Sequence, residues 1–336
     1  MSRRTVAIAA ALSLLPLGQT LLLASTTALA TAAVVLLTQS TVAQSAAVFI
    51  NRARAKFNNG DFQGALSDLN KAIEINPQDA GTYTSRSGTK LNLGDNQGAL
   101  NDANQSIEIY PHDPIAYSNR GAAKANLENH QGAIADFTKA IDINPKYERA
   151  YFNRGIVKRK SGDTKGAIAD FTKAIDINPQ DARAYFNSGI AKYYLKDYQG
   201  SINDYTKAIV IDPQYAYAYH NRGLAKRDLK IYQGAIIDYT KAIEINPQYA
   251  DAYHNRGIAK SDLKDYQGAI VDYNKAIEIN PQHAAAYGSR GYAKGVGFQD
   301  NNGACNDSKK AVSLGNKITA NWLNSDKGAW CRNMRE

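Results

Sequence analysis

Little in this chain speaks for chemistry. Its 336 residues contain two cysteines, two tryptophans and two methionines, and its five histidines (His112, His130, His220, His254 and His283) are scattered. So few soft ligands exclude a cysteine-rich metal scaffold and a disulfide-dense fold. No metalloprotease helix, P-loop or dinucleotide fingerprint is present. Gly295-Val296-Gly297 lacks a third glycine and has no strand-like run before it, so it reads as a turn. No nucleophile, base and stabiliser cluster together, so no enzyme is expected, and no cofactor or metal with it. The net charge of +9, with a pI near 9.2, is spread without a basic stripe. That excludes an obvious nucleic-acid footprint.

Charge of either sign is missing between Arg4 and Arg52. Across that gap runs an Ala-, Leu-, Val- and Thr-rich stretch from Ala7 to Leu37, after a basic start. Residues 1–45 therefore read as an export signal, with Ala28-Leu29-Ala30 or Thr41-Val42-Ala43 as cut sites, or as an uncleaved membrane anchor. Pro16, Gly18 and the threonines weaken the segment as a stable span. Ser2-Arg3-Arg4 also faintly resembles a twin-arginine signal. Every version expects the rest of the chain outside the cytoplasm, periplasmic, secreted or lumenal, or held at a membrane.

Proline is scarce as well, yet seven of the nine fall at one interval. Pro77, Pro111, Pro145, Pro179, Pro213, Pro247 and Pro281 are each 34 residues apart. A strict period of this length marks a stacked array. With the proline at position 32, repeats start at Ala46, Ala80, Pro114, Glu148, Ala182, Ala216 and Ala250, and a divergent eighth at Ala284. Position 4 is always aromatic, from Phe49 to Tyr287, and position 8 is small, from Ala53 to Gly291. Position 20 is Ala or Ser, and position 24 is mostly Phe or Tyr, with Leu69 and Ala103 in the first two repeats. Positions 4, 8 and 11 share one helix face, and 20, 24, 27 and 28 share a face of a second helix. Small residues let the helices approach, aromatics fill the space beside them, and Asn-Pro stops the second helix. Each repeat is thus an antiparallel helix pair whose apolar face its neighbours must bury.

This pattern resembles the tetratricopeptide repeat over roughly residues 46–311. The fifth repeat fits closely, with Tyr185, Gly189, Tyr198, Ser201, Tyr205, Ala208 and Pro213 at the signature positions. The wording of the repeat is similar to versions common in exported or membrane-associated cyanobacterial proteins. The resemblance implies an all-α fold, a right-handed α–α superhelix of seven regular repeats (46–283), followed by a divergent eighth repeat and a capping helix (284–336).

Two positions depart from the family pattern. Position 7 is Arg instead of Leu (Arg52, Arg86, Arg120, Arg154, Arg222, Arg256, Arg290), with Ser188 the exception. Position 11 is Lys instead of Tyr in every repeat, from Lys56 to Lys294. Position 23 is Asp in every regular repeat, from Asp68 to Asp272. An Arg beside a core needs a partner to offset its desolvation, so a ladder of Arg–Asp pairs is expected. The Lys series is expected to form a solvated row with its stems laid on the surface.

In the eighth repeat, Gly295-Val296-Gly297 is expected to loosen the first helix or its turn, and one extra residue near Asn301-Asn302 shifts the rest. The stretch from Ile318 to Cys331, with Trp322, Leu323 and Trp330, reads as a capping helix. Cys305 and Cys331 suit a disulfide pinning that cap in an exported protein, two free thiols being the alternative.

In the family, positions 2, 5, 9, 12 and 13 of the first helices face a concave groove. Carried onto this sequence they give Arg149, Phe152, Arg159, Arg183, Phe186, Tyr193, Tyr194, Tyr217, His220 and Arg227 as candidate contacts. Asn153, Asn187 and Asn221 at position 6 could clamp an extended backbone, since an amide both donates and accepts. Arg mixed with aromatics suits an extended peptide with acidic and apolar side chains. The resulting expectation is a non-enzymatic protein–protein interaction scaffold binding a protein or peptide ligand in its groove. A cell-envelope glycan binder, or an assembly protein for membrane complexes, is the alternative.

Overall fold

The computed structural model describes residues 45–332. The expected export signal or anchor within 1–45 falls almost wholly outside the described residues. Among the described residues there is no strand, and no helix is long and apolar enough to cross a membrane. The chain forms two compact segments divided after Ile143.

The first segment contains α1 (45–58), α2 (Phe62–Ile75), α3 (Ala80–Asn92), α4 (Asn96–Ile109), α5 (Pro114–Asn126) and α6 (His130–Ile143). The second contains α7 (Glu148–Lys160), α8 (Thr164–Ile177), α9 (Ala182–Tyr194), α10 (Tyr198–Ile211), α11 (Ala216–Asp228), α12 (Tyr232–Ile245), α13 (Ala250–Asp262) and α14 (Tyr266–Ile279). It ends with α15 (Ala284–Phe298), α16 (Asn301–Ser313), α17 (Lys317–Asn324), a 3-10 turn (Asp326–Gly328) and α18 (Ala329–Arg332). Within each segment, every helix packs on the next one in sequence, and first helices of successive repeats also touch. This is the solenoid of helical hairpins that the 34-residue period predicts.

Close helix approach rests on a fit between positions 8 and 24. A Cβ on Gly155, Gly189, Gly223 or Gly257 would lie 2.6–2.7 Å from a ring carbon of Phe171, Tyr205, Tyr239 or Tyr273. Those rings are almost completely buried. The first two repeats lack the ring, with Leu69 and Ala103 in its place, and there Ala53 and Ser87 fit at position 8. Most second helices are capped by Asp at position 16. Asp163, Asp197 and Asp265 accept from the amides of Gly166, Gly200 and Gly268.

The Arg–Asp ladder is present. Arg86, Arg120, Arg154, Arg222, Arg256 and Arg290 each donate two bonds, through Nε and Nη2, to Asp102, Asp136, Asp170, Asp238, Asp272 and Asp307. Arg52 does the same to Asp68 and holds its carboxyl well below the usual carboxylate range. Each of these guanidinium groups also lies 5.0–5.6 Å from the ring at position 4. The third nitrogen reaches the preceding repeat: Arg222 Nη1 donates to Thr206 at 3.0 Å and Arg256 Nη1 to Thr240 at 3.1 Å.

The Lys series is not a solvated row. Each of its eight ammonium groups lies 2.7–2.9 Å from Oδ2 of the Asp carboxylate of its own repeat, the oxygen that also accepts Arg Nε wherever position 7 is Arg. Position 11 is one helical turn beyond position 7, so both cations converge on one acid. The sequence reading paired Asp with Arg alone, whereas Oδ2 of the carboxylate accepts from Arg Nε and contacts the Lys ammonium as well.

The C-terminal end differs in two further ways. α15 runs unbroken through Gly295 and Gly297 and closes with Gln299 in the left-handed conformation. The extra residue is taken up in this helix, 15 residues long against 13 in the regular repeats, which makes the Arg290–Asp307 separation 17 instead of 16. The cap is two short helices joined by a 3-10 turn, not one helix. Cys305 of α16 and Cys331 of α18 form a disulfide, with Cα atoms 5.3 Å apart.

Candidate functional site

In the second segment, α7, α9, α11 and α13 are the first helices of successive repeats. The candidate contacts fall into three groups according to what each side chain touches.

The first group gathers around the start of α9. Arg183 pairs with Asp181 through Nε and Nη2, and its guanidinium stands 5.3 Å from the Phe152 ring. Phe152 packs on Phe171, and Phe186 packs on Tyr205 and Tyr215. Arg149 is exposed at the start of α7, beside half-buried Asn153. Nε of Arg159 is buried without an acceptor among the described residues.

The second group comprises Tyr193 and Tyr194 at the end of α9, Tyr217 at the start of α11 and Arg227 at its end. The Tyr193 hydroxyl donates to Asp228 at 2.6 Å, and burial followed by that bond pushes the phenol upward, keeping it protonated. Arg227 stands 3.3 Å from the same carboxylate group. Tyr194 is 68% exposed and Tyr217 is 56% exposed, so both present aromatic surface to solvent.

The third group is His220, which is withdrawn from solvent at 7% exposure. Its Nδ1 lies 3.2 Å from the Tyr249 hydroxyl and its Nε2 lies 3.0 Å from the Asn255 amide. Burial pushes its pKa down to about 4. His220 therefore shapes the groove from below and offers no free nitrogen to a ligand or metal. Among the described residues no group of three or more His, Cys, Asp or Glu could hold a metal ion.

The asparagines at position 6 have other uses than an open clamp. The amide nitrogens of Asn187 and Asn221 donate back to the carbonyls of Arg183 and Tyr217 in their own helices. Asn119 donates to the carbonyl of Thr84, and Asn255 bonds His220, each linking two first helices. For Asn187 and Asn221, the amide oxygen is the atom left to meet a ligand.

Position 34, two residues after the proline, went unread in the sequence. It meets position 5 of the same repeat: Tyr215 on Phe186, Tyr249 on His220, His283 on His254, and Asp113 accepting from Thr84. Asp113 and Asp181 also cap the next helix, whereas Tyr147, Tyr215 and Tyr249 make no side-chain cap bond. Losing such a cap costs about 1 kcal/mol, so the ring must contribute packing in return. The signal was the alternation of Asp with Tyr at a position that normally caps.

The second segment is thus an interaction-type repeat protein, with a groove face of mixed aromatic and charged side chains and no reactive centre among the described residues. Tetratricopeptide-repeat profiles match residues 46–79, 114–147, 148–181, 189–227, 216–249 and 250–283, in the same frame as the proline period wherever a whole repeat is matched. Together they cover more than half of the sequence, and the chain belongs to the tetratricopeptide-repeat family, whose members are interaction scaffolds.

Solved structures agree on the fold. The Cut9–Hcn1 heterotetramer of the APC/C is 16% identical at a TM-score of 0.57, over 84% of this chain and 55% of that one. The C-terminal part of a repeat protein from Cytophaga hutchinsonii is 18% identical at 0.57, over 71% and 98%. A tetratricopeptide repeat protein from Parabacteroides merdae is 20% identical at 0.52, over 74% and 99%. At these identities the likeness is one of fold alone. No curated protein matches the chain.

Proposed function

We propose that this chain is a non-enzymatic scaffold that holds an extended peptide segment along α7, α9, α11 and α13, outside the cytoplasm or at a membrane. The observation that carries the reading is the outer surface of α9 and α11. There Tyr194 and Tyr217 are exposed, and the same two helices carry Arg183 and Arg227, already partnered by Asp181 and Asp228. Exposed aromatics beside Arg are the residue types that dominate binding energy at interfaces. The disulfide between Cys305 and Cys331 is compatible with an oxidising compartment and supports export.

The test is a peptide array probed with the native chain and with Tyr217→Ala/Arg183→Ala. Both side chains are largely outside the core, so helicity by circular dichroism should not change. Peptides held by this surface should weaken by about tenfold or more, since each hot-spot side chain is worth about 1–2 kcal/mol. An unchanged array removes the surface from consideration. The exposed tyrosines also suit a cell-envelope glycan, and a glycan array run in parallel separates that reading.

A further inference from the structure

Beyond α11 the groove changes character. α17 and α18 fold over the first helices of the seventh and eighth repeats and close a pocket of about 820 Å³. Its floor includes His254, Ile258 and Asp262 of α13, which are groove positions 5, 9 and 13, so the pocket continues the groove. Its wall is built from Ile318, Trp322 and Trp330 of the cap. α17 comes this close because position 5 of the eighth repeat is Gly288. A Cβ there would lie 2.6 Å from the Thr319 hydroxyl.

The lining sets the chemistry of what fits. Among the described residues no lysine or arginine lines the pocket, and Asp262 is its only acidic side chain. Asp262 has no hydrogen bond or ion pair among the described residues, and burial pushes its carboxyl above the usual range. His254 bonds Ser289 at 3.0 Å, and burial pushes its pKa down to about 4, so it is neutral at pH 7. The pocket therefore carries one negative charge. An anionic ligand would meet that charge with no cation in the described lining to offset it, Arg227 of α11 acting on the carboxyl only from outside the lining, and an uncharged one would bury the carboxylate without a hydrogen bond.

The wall adds a second preference. The Trp322 and Trp330 rings are 6.2 Å apart at 75°, which sets two indole planes nearly at right angles. Such a corner attracts a cation to an indole face. At the rim, Ile318 is 84% exposed, Tyr292 60% and Val296 52%, an apolar surface that suits the carbon stem and neighbours of a charged side chain.

We propose that this pocket receives a lysine or arginine side chain, flanked by apolar residues, from the peptide lying in the groove. The proposal rests on the peptide-groove reading and names the anchor of that peptide. A basic head between Asp262 and the two indoles satisfies the carboxylate, and the apolar flanks cover the rim.

The chain's only two tryptophans both line this pocket, so intrinsic tryptophan emission reads its occupancy. The full chain is titrated with acetyl-Leu-Lys-Leu amide, with the same peptide carrying norleucine or Glu in place of Lys, and with chitotetraose. The Lys peptide should give a saturable change, with the other three weaker by about tenfold or more. Asp262→Asn, which keeps shape and removes charge, should weaken the Lys peptide by about tenfold while circular dichroism stays unchanged. Equal response to the Glu peptide or the sugar, no response to any probe, or an unaltered affinity in Asp262→Asn would each overturn the assignment. Tyr217→Ala/Arg183→Ala should leave this titration intact, because the probe is too short to reach α9. Peptides that depend on that double variant but never alter tryptophan emission would sink the pocket and spare the groove.

Discussion

The three-way contact of Asp with Arg and Lys makes a prediction that the chain itself controls for. Asp238 is enclosed, its side chain 2% exposed, and it takes two bonds from Arg222 and a third contact from Lys226. Replacing it with Asn leaves two cations facing a neutral amide. Breaking a buried pair in this way costs about 3–5 kcal/mol. The cations keep 16% and 21% of their exposure and recover some hydration, which places Asp238→Asn near the lower bound, about 3 kcal/mol. The fifth repeat has Ser188 where the others have Arg. Asp204 there is 13% exposed and holds only Lys192 at 2.7 Å and the Ser188 hydroxyl at 2.6 Å. Asp204→Asn should therefore cost about 1 kcal/mol, as for a partly screened pair. Urea unfolding followed by far-ultraviolet circular dichroism reads the difference. Equal midpoint shifts for the two variants would refute the claim that Arg and Lys together clamp the carboxylate. Ser188→Arg should raise stability by about 1 kcal/mol and the midpoint with it, since Tyr185 and Asp204 stand where the other repeats place their partners.

Gly257→Ala should destabilise the seventh repeat by about 1–3 kcal/mol, because the new methyl would lie 2.6 Å from the buried Tyr273 ring; an unchanged melting curve would contradict that fit. His220 should make stability fall with acidity. Its folded pKa is about 4 against an ordinary 6.5, so the unfolded chain binds the extra proton between those values. Stability is then complete above about pH 6.5 and drops by about 3 kcal/mol as pH falls to 4, a drop that His220→Gln should reduce in urea melts taken across that range. Reducing the Cys305–Cys331 bond, which closes a 26-residue separation, should remove about 3 kcal/mol from the cap. Tryptophan emission should change at lower urea after reduction, while the bulk helical signal holds its midpoint; coincident transitions in both states would count against a cap-specific role.

Much of the fold could be read from the sequence because it depends on spacing. The period, the paired faces and the Asn-Pro stops all follow from which residues recur and how far apart they stand. The Arg–Asp ladder was legible for the same reason, since a cation beside a core requires an anion. The Lys row was misread because periodicity says that residues share a face but not that two of them converge on one atom group. The continuous α15 was misread because glycine lowers helix propensity without forbidding a helix. The cap was read as one helix, and its division in two and its groove-facing side escaped, because it occurs once and no repetition reveals them. His220 was placed by the family's groove positions, and its burial follows from Tyr249, at position 34 of its own repeat, which went unread, and from Asn255 of the next repeat.

The division of labour within the repeat explains why the candidate site was harder to read than the scaffold. Positions 4, 7, 8, 11, 23 and 24 are nearly invariant along the chain because each is consumed in holding helices together: the ring, the guanidinium, the close approach, the ammonium, the carboxylate and the second ring. A residue spent in that way cannot distinguish one ligand from another. Discrimination must come from positions that change between repeats, namely 2, 5, 9, 12, 13 and 34. At position 5 the series runs Phe152, Phe186, His220, His254 and Gly288, and at position 34 it runs Tyr147, Asp181, Tyr215, Tyr249 and His283. Because position 34 of a repeat packs on position 5 of the same repeat, the two cannot vary independently. Phe186 with Tyr215 leaves an aromatic platform, whereas His254 with His283 meets Asp251 and leads into the pocket beside Asp262. Swapping a 5–34 pair between repeats should therefore transfer ligand preference together with the pair, while changing either residue alone should cost stability first.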